Sequence, residues 1–138
     1  MPQKEIVSSE SAPKAIGPYS PAVRSGDLLF TSGQLGMDPA TGGLVAGGVA
    51  AETRQALQNC IRLLEAAGAT LPDVLKTTVF LRSMEDFSSM NSVYAKFFPH
   101  DPPARTTVQA AALPKGAAVE IECIARIPLR KKPARRRK

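Results

Sequence analysis

The chain is expected to fold as one α+β domain, a mixed sheet with two helices on one of its faces. Three observations predict this. Runs at residues 22–31, 74–81 and 104–127 are alternating or β-branched, the pattern of strands. Residues 49–67 and 84–98 instead repeat their apolar positions at three and four, the period of helices lying on a sheet. The order of elements, hairpin strands, helix, strand, helix, two strands, lacks the regular alternation of an all-parallel sheet. A chain of 138 residues suits a single domain. Its boundaries are read as residues 1–129, followed by a separate basic tail at 130–138.

The first residues, ahead of Ser11, are expected to be mobile. SAPKAIGPYSPAVRSGD, with three prolines and two glycines, reads as irregular with short extended pieces. A hairpin follows: Ala22 to Arg24, a turn at Ser25-Gly26-Asp27, and Leu28 to Thr31. MDPATGG is a further turn. In the first helix Ala50, Leu57, Ile61 and Leu64 define the inward stripe, widened by Ala56, Leu63 and Ala67, with Glu52, Arg54, Gln58, Arg62 and Glu65 pointing mostly elsewhere. Gly68 suits a left-handed stop. VLKTTVFL at 74–81 is a buried strand. Ser83 and Asp86 open the second helix, with Phe87, Met90, Tyr94 and Phe97 on one stripe, and Pro99 ends it. ARTTVQAAAL, a turn at Pro114-Lys115-Gly116 and AVEIECIARI then read as a closing antiparallel pair.

In the last strand Val119, Ile121, Cys123, Ala125 and Ile127 share one parity, and Glu120, Glu122, Ile124 and Arg126 the other. The second face of the sheet is therefore mixed rather than polar. Such a face calls for cover by another subunit, so a homo-oligomer with sites at its seams is expected.

Composition narrows the function classes. There is no apolar run of membrane-spanning length and no apolar stretch near the start that would serve as a secretion signal, so the cytoplasm is the expected address and no membrane contact is expected. Residues 130–138, RKKPARRRK, hold seven of the 18 basic residues; the remaining 11 face 12 acidic ones. The basicity belongs to the tail, which is expected to be disordered and to make at most weak, sequence-independent contact with nucleic acid. Cys60 and Cys123 have no CxxC spacing and His100 is the one histidine, so both thiols read as buried apolar groups and no metal site is expected. Phosphate-binding loops, nucleophile elbows and HExxH are absent from the sequence.

A small polar set remains: Arg105, Glu120 and Glu122 on the last two strands, Tyr19, Ser32 and Gly33 in the early loops, and Asn91 in the second helix. The last two strands are joined by one hairpin, so Arg105 and Glu120 are expected to lie within reach of each other across the pair. Read plainly, they make a cross-strand salt bridge. Read as chemistry, Arg105 forks onto a substrate carboxylate while Glu120 holds a water as general base, and Gly33 lets backbone amides approach the ligand.

AIGPYSPAV, FTSGQLGMDPATG, VLKTTVFL, DFSSMNSVYAKFF, PPARTTVQAAALPKG and VEIECIA, in this order from about Ala15 to Ile127, resemble the RidA (YjgF) family of reactive-intermediate deaminases. The resemblance implies a chorismate-mutase-like fold, a barrel-forming homotrimer with clefts between neighbours, and hydrolysis of small carboxylate-bearing enamines and imines, such as 2-aminoacrylate, to 2-keto acids and ammonia, with no cofactor. It implies that Arg105 grips the carboxylate, that Glu120 positions water, and that Tyr19, Ser32, Gly33, Asn91 and Thr107 line the cleft. Glu122 is left as a structural or solvent-facing acid. Many members carry a cysteine where this chain has Thr107, so that position is expected to act through its backbone N–H, and thiol-based regulation there is ruled out. Some relatives are described as ribonucleases that inhibit translation, so RNA binding or cleavage assisted by residues 130–138 is the second reading. A third is a non-catalytic trimer that binds small carboxylates or partner proteins.

Overall fold

The computed structural model describes residues 3–129; the basic stretch 130–138 and the expectations attached to it fall outside these residues. Seven strands and two helices follow in the order β1 (Glu5–Val7), β2 (Ala22–Ser25), β3 (Leu28–Thr31), β4 (Gln34–Leu35), α1 (Gly48–Ala66), β5 (Val74–Leu81), α2 (Phe87–Phe97), β6 (Ala104–Gln109) and β7 (Val119–Arg126). They build one mixed sheet in the order β1-β2-β3-β7-β5-β6, with β4 also paired to β7. The α+β class, the β2–β3 hairpin and β5 all match the sequence reading. Gly26, at φ 61°, makes the hairpin turn, and Gly68, at φ 86°, carries the chain out of α1.

The core lies between the sheet and the helices. Leu29, Val79, Leu81, Val119, Ile121 and Ala125 of the sheet meet Ala56, Leu57, Leu63, Leu64 and Met90 of the helices. Cys60 and Cys123 are free and buried in this layer, as expected. Cys60 Sγ donates to Ile121 O at 3.8 Å, and the neighbouring Cys123 thiol, together with burial, keeps the Cys60 thiol well above its ordinary pKa and hence protonated.

Three expectations are corrected. The start is not wholly mobile, because Glu5–Val7 pairs antiparallel with β2. The inward stripe of α1 is also rotated from the predicted one: Glu52, Thr53, Asn59 and Cys60 are buried, whereas Ala50 and Ile61 are only partly so. The reason is hydrogen bonding. Ala118 N–H donates to Glu52 Oε1 at 2.9 Å, and Asn59 Nδ2 donates to the carbonyls of Leu35 (3.1 Å) and Met37 (2.9 Å). The two-residue β4 leaves backbone groups that its ladder cannot satisfy, and a buried carbonyl without a donor is costly.

The third correction concerns the site. β6 and β7 do not pair. β6 runs parallel to β5, with Thr77 opposite Arg105, and β5 runs antiparallel to β7, with Phe80 opposite Glu120. The crossover through α2 brings β6 back parallel to β5, as a parallel connection requires. The chain from Ala110 to Ala118 then passes the end of β5, where Ala110 N–H donates to Leu81 O and Arg82 N–H to Ala118 O, both at 2.9 Å. β5, dense in β-branched residues, thereby takes a place between two neighbours.

Register sets the outer face. Ile6, Val23, Phe30 and Ile124 fall in one row, and Val108, Phe80 and Glu120 in another. Ile6 is 67% exposed, Phe30 and Val108 each 41%, so this face is left with apolar groups in water.

Just past β4, Gly36 packs its backbone directly against α1. A Cβ there would lie 2.5 Å from Glu52 Cα and 2.7 Å from Glu52 O. Backbone atoms of a helix cannot step aside singly, so G36A is expected to lower unfolding stability by about 2 kcal/mol or more. An unchanged denaturant midpoint would show that the helix has room there.

Candidate active site

Beyond the end of β3 the chain leaves the ladder at Ser32-Gly33 and rejoins β7 as β4, with Leu35 opposite Glu120. This break opens a cavity of about 290 Å³, lined by Lys14, Tyr19, Ser32, Gly33, Gln34 and Glu120, with apolar walls from Ile16, Leu35 and Met37 among others. The loop is held by its own polar groups. Ser32 Oγ donates to Ser20 O at 2.6 Å, Ser32 N–H to Pro21 O at 2.9 Å, and Gln34 Nε2 to Ser32 O at 3.2 Å. Tyr19 lies across the irregular segment, its hydroxyl accepting from Ile16 N–H at 3.3 Å.

Gly33 has a steric job that the sequence did not disclose. A Cβ at this position would fall 2.7 Å from Glu120 Cδ and 3.0 Å from Oε1. The carboxyl group rests on the bare backbone, and only glycine leaves it that place. Burial, and secondarily the like charge of Glu122, hold the Glu120 carboxyl above the ordinary glutamate pKa. A half-buried carboxylate with a raised pKa beside a cavity is the physical profile of a general base.

Arg105 occupies a second place. Facing Thr77 on β5, it points to the helix side of the sheet, whereas Glu120, facing Phe80, points to the other. Their Cα atoms lie two strands and three residues apart, about 14 Å. No ion pair joins Arg105 to any acid among the described residues; the salt bridges there are Arg62–Glu65 and Arg126–Asp27. The cross-strand salt bridge is thus excluded. Arg105 Nη1 donates instead to Asn91 Oδ1 at 2.8 Å, and its guanidinium carbon stands 4.7 Å from the Tyr94 ring centre and 5.6 Å from that of Phe87. Thr107, two residues along the edge strand, shares this side; its hydroxyl is buried without a hydrogen-bond partner among the described residues.

The eight side chains singled out in the sequence therefore separate into two groups. Tyr19, Ser32, Gly33 and Glu120 converge on the cavity, with Glu122 next to Glu120 on the same face. Asn91, Arg105 and Thr107 gather at the β6 edge. Sequence reasoning missed Gln34 and Lys14 in the cavity wall and the Tyr94 and Phe87 rings at the arginine. The two rings looked like core positions of a helix, and one of them is: Tyr94 is 5% exposed. Gln34 directly follows the Ser-Gly break, which is the one signal that pointed to it.

Comparison with known proteins finds close relatives of this chain. A Bos taurus protein named 2-iminobutanoate/2-iminopropanoate deaminase is 53% identical over 122 residues, 88% of this chain and 89% of that protein. The crystal structure of RidA from an Antarctic Psychrobacter species matches with a TM-score of 0.86 at 43% identity, covering 89% of this chain and 99% of the other. That of Escherichia coli TdcF with bound serine matches at 0.84 and 42% identity, covering 88% and 98%. The model of the family named Endoribonuclease L-PSP matches residues 9–127. With that span, this fold and relatives so close in sequence, the chain belongs to the Endoribonuclease L-PSP family, the RidA/YjgF proteins.

Proposed function

We propose that this chain hydrolyses 2-imino acids of the 2-iminopropanoate and 2-iminobutanoate class, and their enamine tautomers, to 2-keto acids and ammonia, working as a homotrimer with active sites between neighbouring copies. The separation of the two residue groups carries this reading. A substrate of three or four carbons cannot reach from Arg105 to Glu120 across about 14 Å and through a sheet. The β6 edge of one copy set against the cavity of the next brings an unneutralised guanidinium to a half-buried carboxylate. Burying the outer-face residues Ile6, Phe30 and Val108 would favour such an assembly at about 25 cal/mol per Å² of apolar surface removed from water. The relatives agree: the bovine protein is named for these two imines, and TdcF holds serine, an amino acid of the same three-carbon length.

The chemistry follows from the groups. Arg105 takes the substrate carboxylate through paired N–H donors, which fixes the imine carbon in register. Glu120 accepts a proton from a water as its oxygen bonds to that carbon and the C=N electrons move to nitrogen. Glu120 returns that proton to nitrogen to give the neutral carbinolamine, then takes the hydroxyl proton and delivers it to the same nitrogen as C=O forms, the C–N bond breaks and ammonia leaves. Exchange of C=N for C=O by water changes no oxidation level, so the step needs neither electron sink nor redox group. Tyr19, Ser32 and Gly33 shape the cavity around the adduct, and Thr107 offers its edge-strand N–H.

The direct test couples a serine or threonine dehydratase to the purified protein and follows imine decay. Decay faster than in buffer, in proportion to protein added, is expected. Decay at the buffer rate overturns the reading, and RNA cleavage in its place would support the endoribonuclease in the family's name.

A further inference from the structure

Arginines on sheet edges usually find a carboxylate. Arg105 is held among groups that are all uncharged: two aromatic faces, Phe87 and Tyr94, and the side-chain amide oxygen of Asn91. All three come from one helix, α2, at positions that share its inner side. The Tyr94 ring is itself fixed, since its hydroxyl and that of Thr77, which is 1% exposed, are 2.7 Å apart. Burial raises the Tyr94 phenol above its ordinary pKa, against smaller opposing effects of the Thr77 hydrogen bond and the Arg105 charge, so the ring presents a π face and not a phenolate.

We propose that Phe87, Asn91 and Tyr94 form a charge-neutral cradle that orients the Arg105 guanidinium without neutralising it, making Phe87 and Tyr94 positioning residues for recognition of the substrate carboxylate. This rests on the function proposed above. An acid at the place of Asn91 would hold the arginine as well or better, and would compete with every carboxylate ligand. A ring quadrupole attracts the cation while leaving its N–H edges free. One N–H is engaged by Asn91, and the others remain for a bidentate partner. The cradle thus separates two tasks that an ion pair would merge, holding the side chain and keeping its charge available.

N91D tests this, because it is nearly isosteric and sets a carboxylate within hydrogen-bond distance of Arg105. KM for 2-iminopropanoate and the dissociation constant for pyruvate, measured by calorimetry, are expected to rise about tenfold or more. The melting temperature should hold or increase, which a merely structural role for Asn91 would not produce. Y94L should raise KM about tenfold with a smaller change in kcat, and Y94F, which keeps the π face, should recover most of that affinity. Where Y94L does not fold, F87L and N91D carry the test. Wild-type KM and pyruvate affinity in folded N91D, or in folded Y94L, would overturn the cradle. Unchanged imine hydrolysis by R105A would instead remove the function on which it rests, so the two failures are distinguishable.

Discussion

Arg105→Ala is expected to lose between about a hundredfold and ten-thousandfold in kcat/KM for imine hydrolysis while the protein keeps its oligomeric state and its fold. Two charge-assisted hydrogen bonds to a carboxylate are each worth about 1.5–3 kcal/mol, and their loss in the transition state sets that range. Stability should change little. Arg105 is engaged by one amide and two ring faces and has no acidic partner among the described residues, so truncation strands no buried charge. Arg105→Lys should recover only part of the activity, because an ammonium keeps the charge but lacks the planar fork. Steady-state hydrolysis of 2-iminopropanoate checks both variants. R105A with wild-type kcat/KM would remove Arg105 as the anchor.

Glu120→Gln is expected to cost about a hundredfold to ten-thousandfold in kcat, the usual contribution of a positioned proton acceptor. Its stability should move the other way. A carboxyl whose folded-state pKa is raised contributes stability that is present below the unfolded pKa and is lost as pH rises through the folded one. Above that folded-state pKa the ionised Glu120 is therefore a burden on the fold, and E120Q should there melt no lower than the wild type. The same shift governs the pH profile. Activity should fall with decreasing pH as Glu120 takes up its proton, with the acid limb above the ordinary glutamate range. E122Q, which removes the smaller of the two causes, should move that limb down without abolishing activity. An acid limb at the ordinary glutamate value, unmoved in E122Q, would mean that another group is the base. Mixing the two inactive variants offers a further check on the seam. If each site takes Arg105 from one copy and Glu120 from the next, random re-assembly of R105A with E120Q in equal amounts restores about a quarter of the wild-type sites. Sites contained within single copies would restore none.

Much of this was legible in the residues. Local patterns located β5 to the residue, the β2–β3 turn at Gly26 and the exit of α1 at Gly68, because strand period, turn chemistry and a left-handed stop are decided within a few residues. The polar set could be picked out because so few chemically capable groups lie outside the obvious core. The mixed second face was visible in the alternation of β7, and the exposed Ile6, Phe30 and Val108 agree with it.

What stayed hidden was every relation fixed by neighbours distant in the chain. Whether Ala110–Ala118 closes a hairpin or carries β7 past β5 depends on which strand buries best between two partners, a competition over the whole sheet rather than a property of the Pro-Lys-Gly turn. That choice alone sets Arg105 and Glu120 on opposite faces and turns an expected pair into two separate groups. The burial of Asn59 likewise follows from carbonyls left open at and just past the two-residue β4, and that of Glu52 from the Ala118 N–H just before β7, all far from them in sequence. Period and composition determined the elements and the chemically capable residues. The tertiary structure alone decided which of those residues meet, because strand order and hydrogen-bond demand are settled between segments that no local pattern connects.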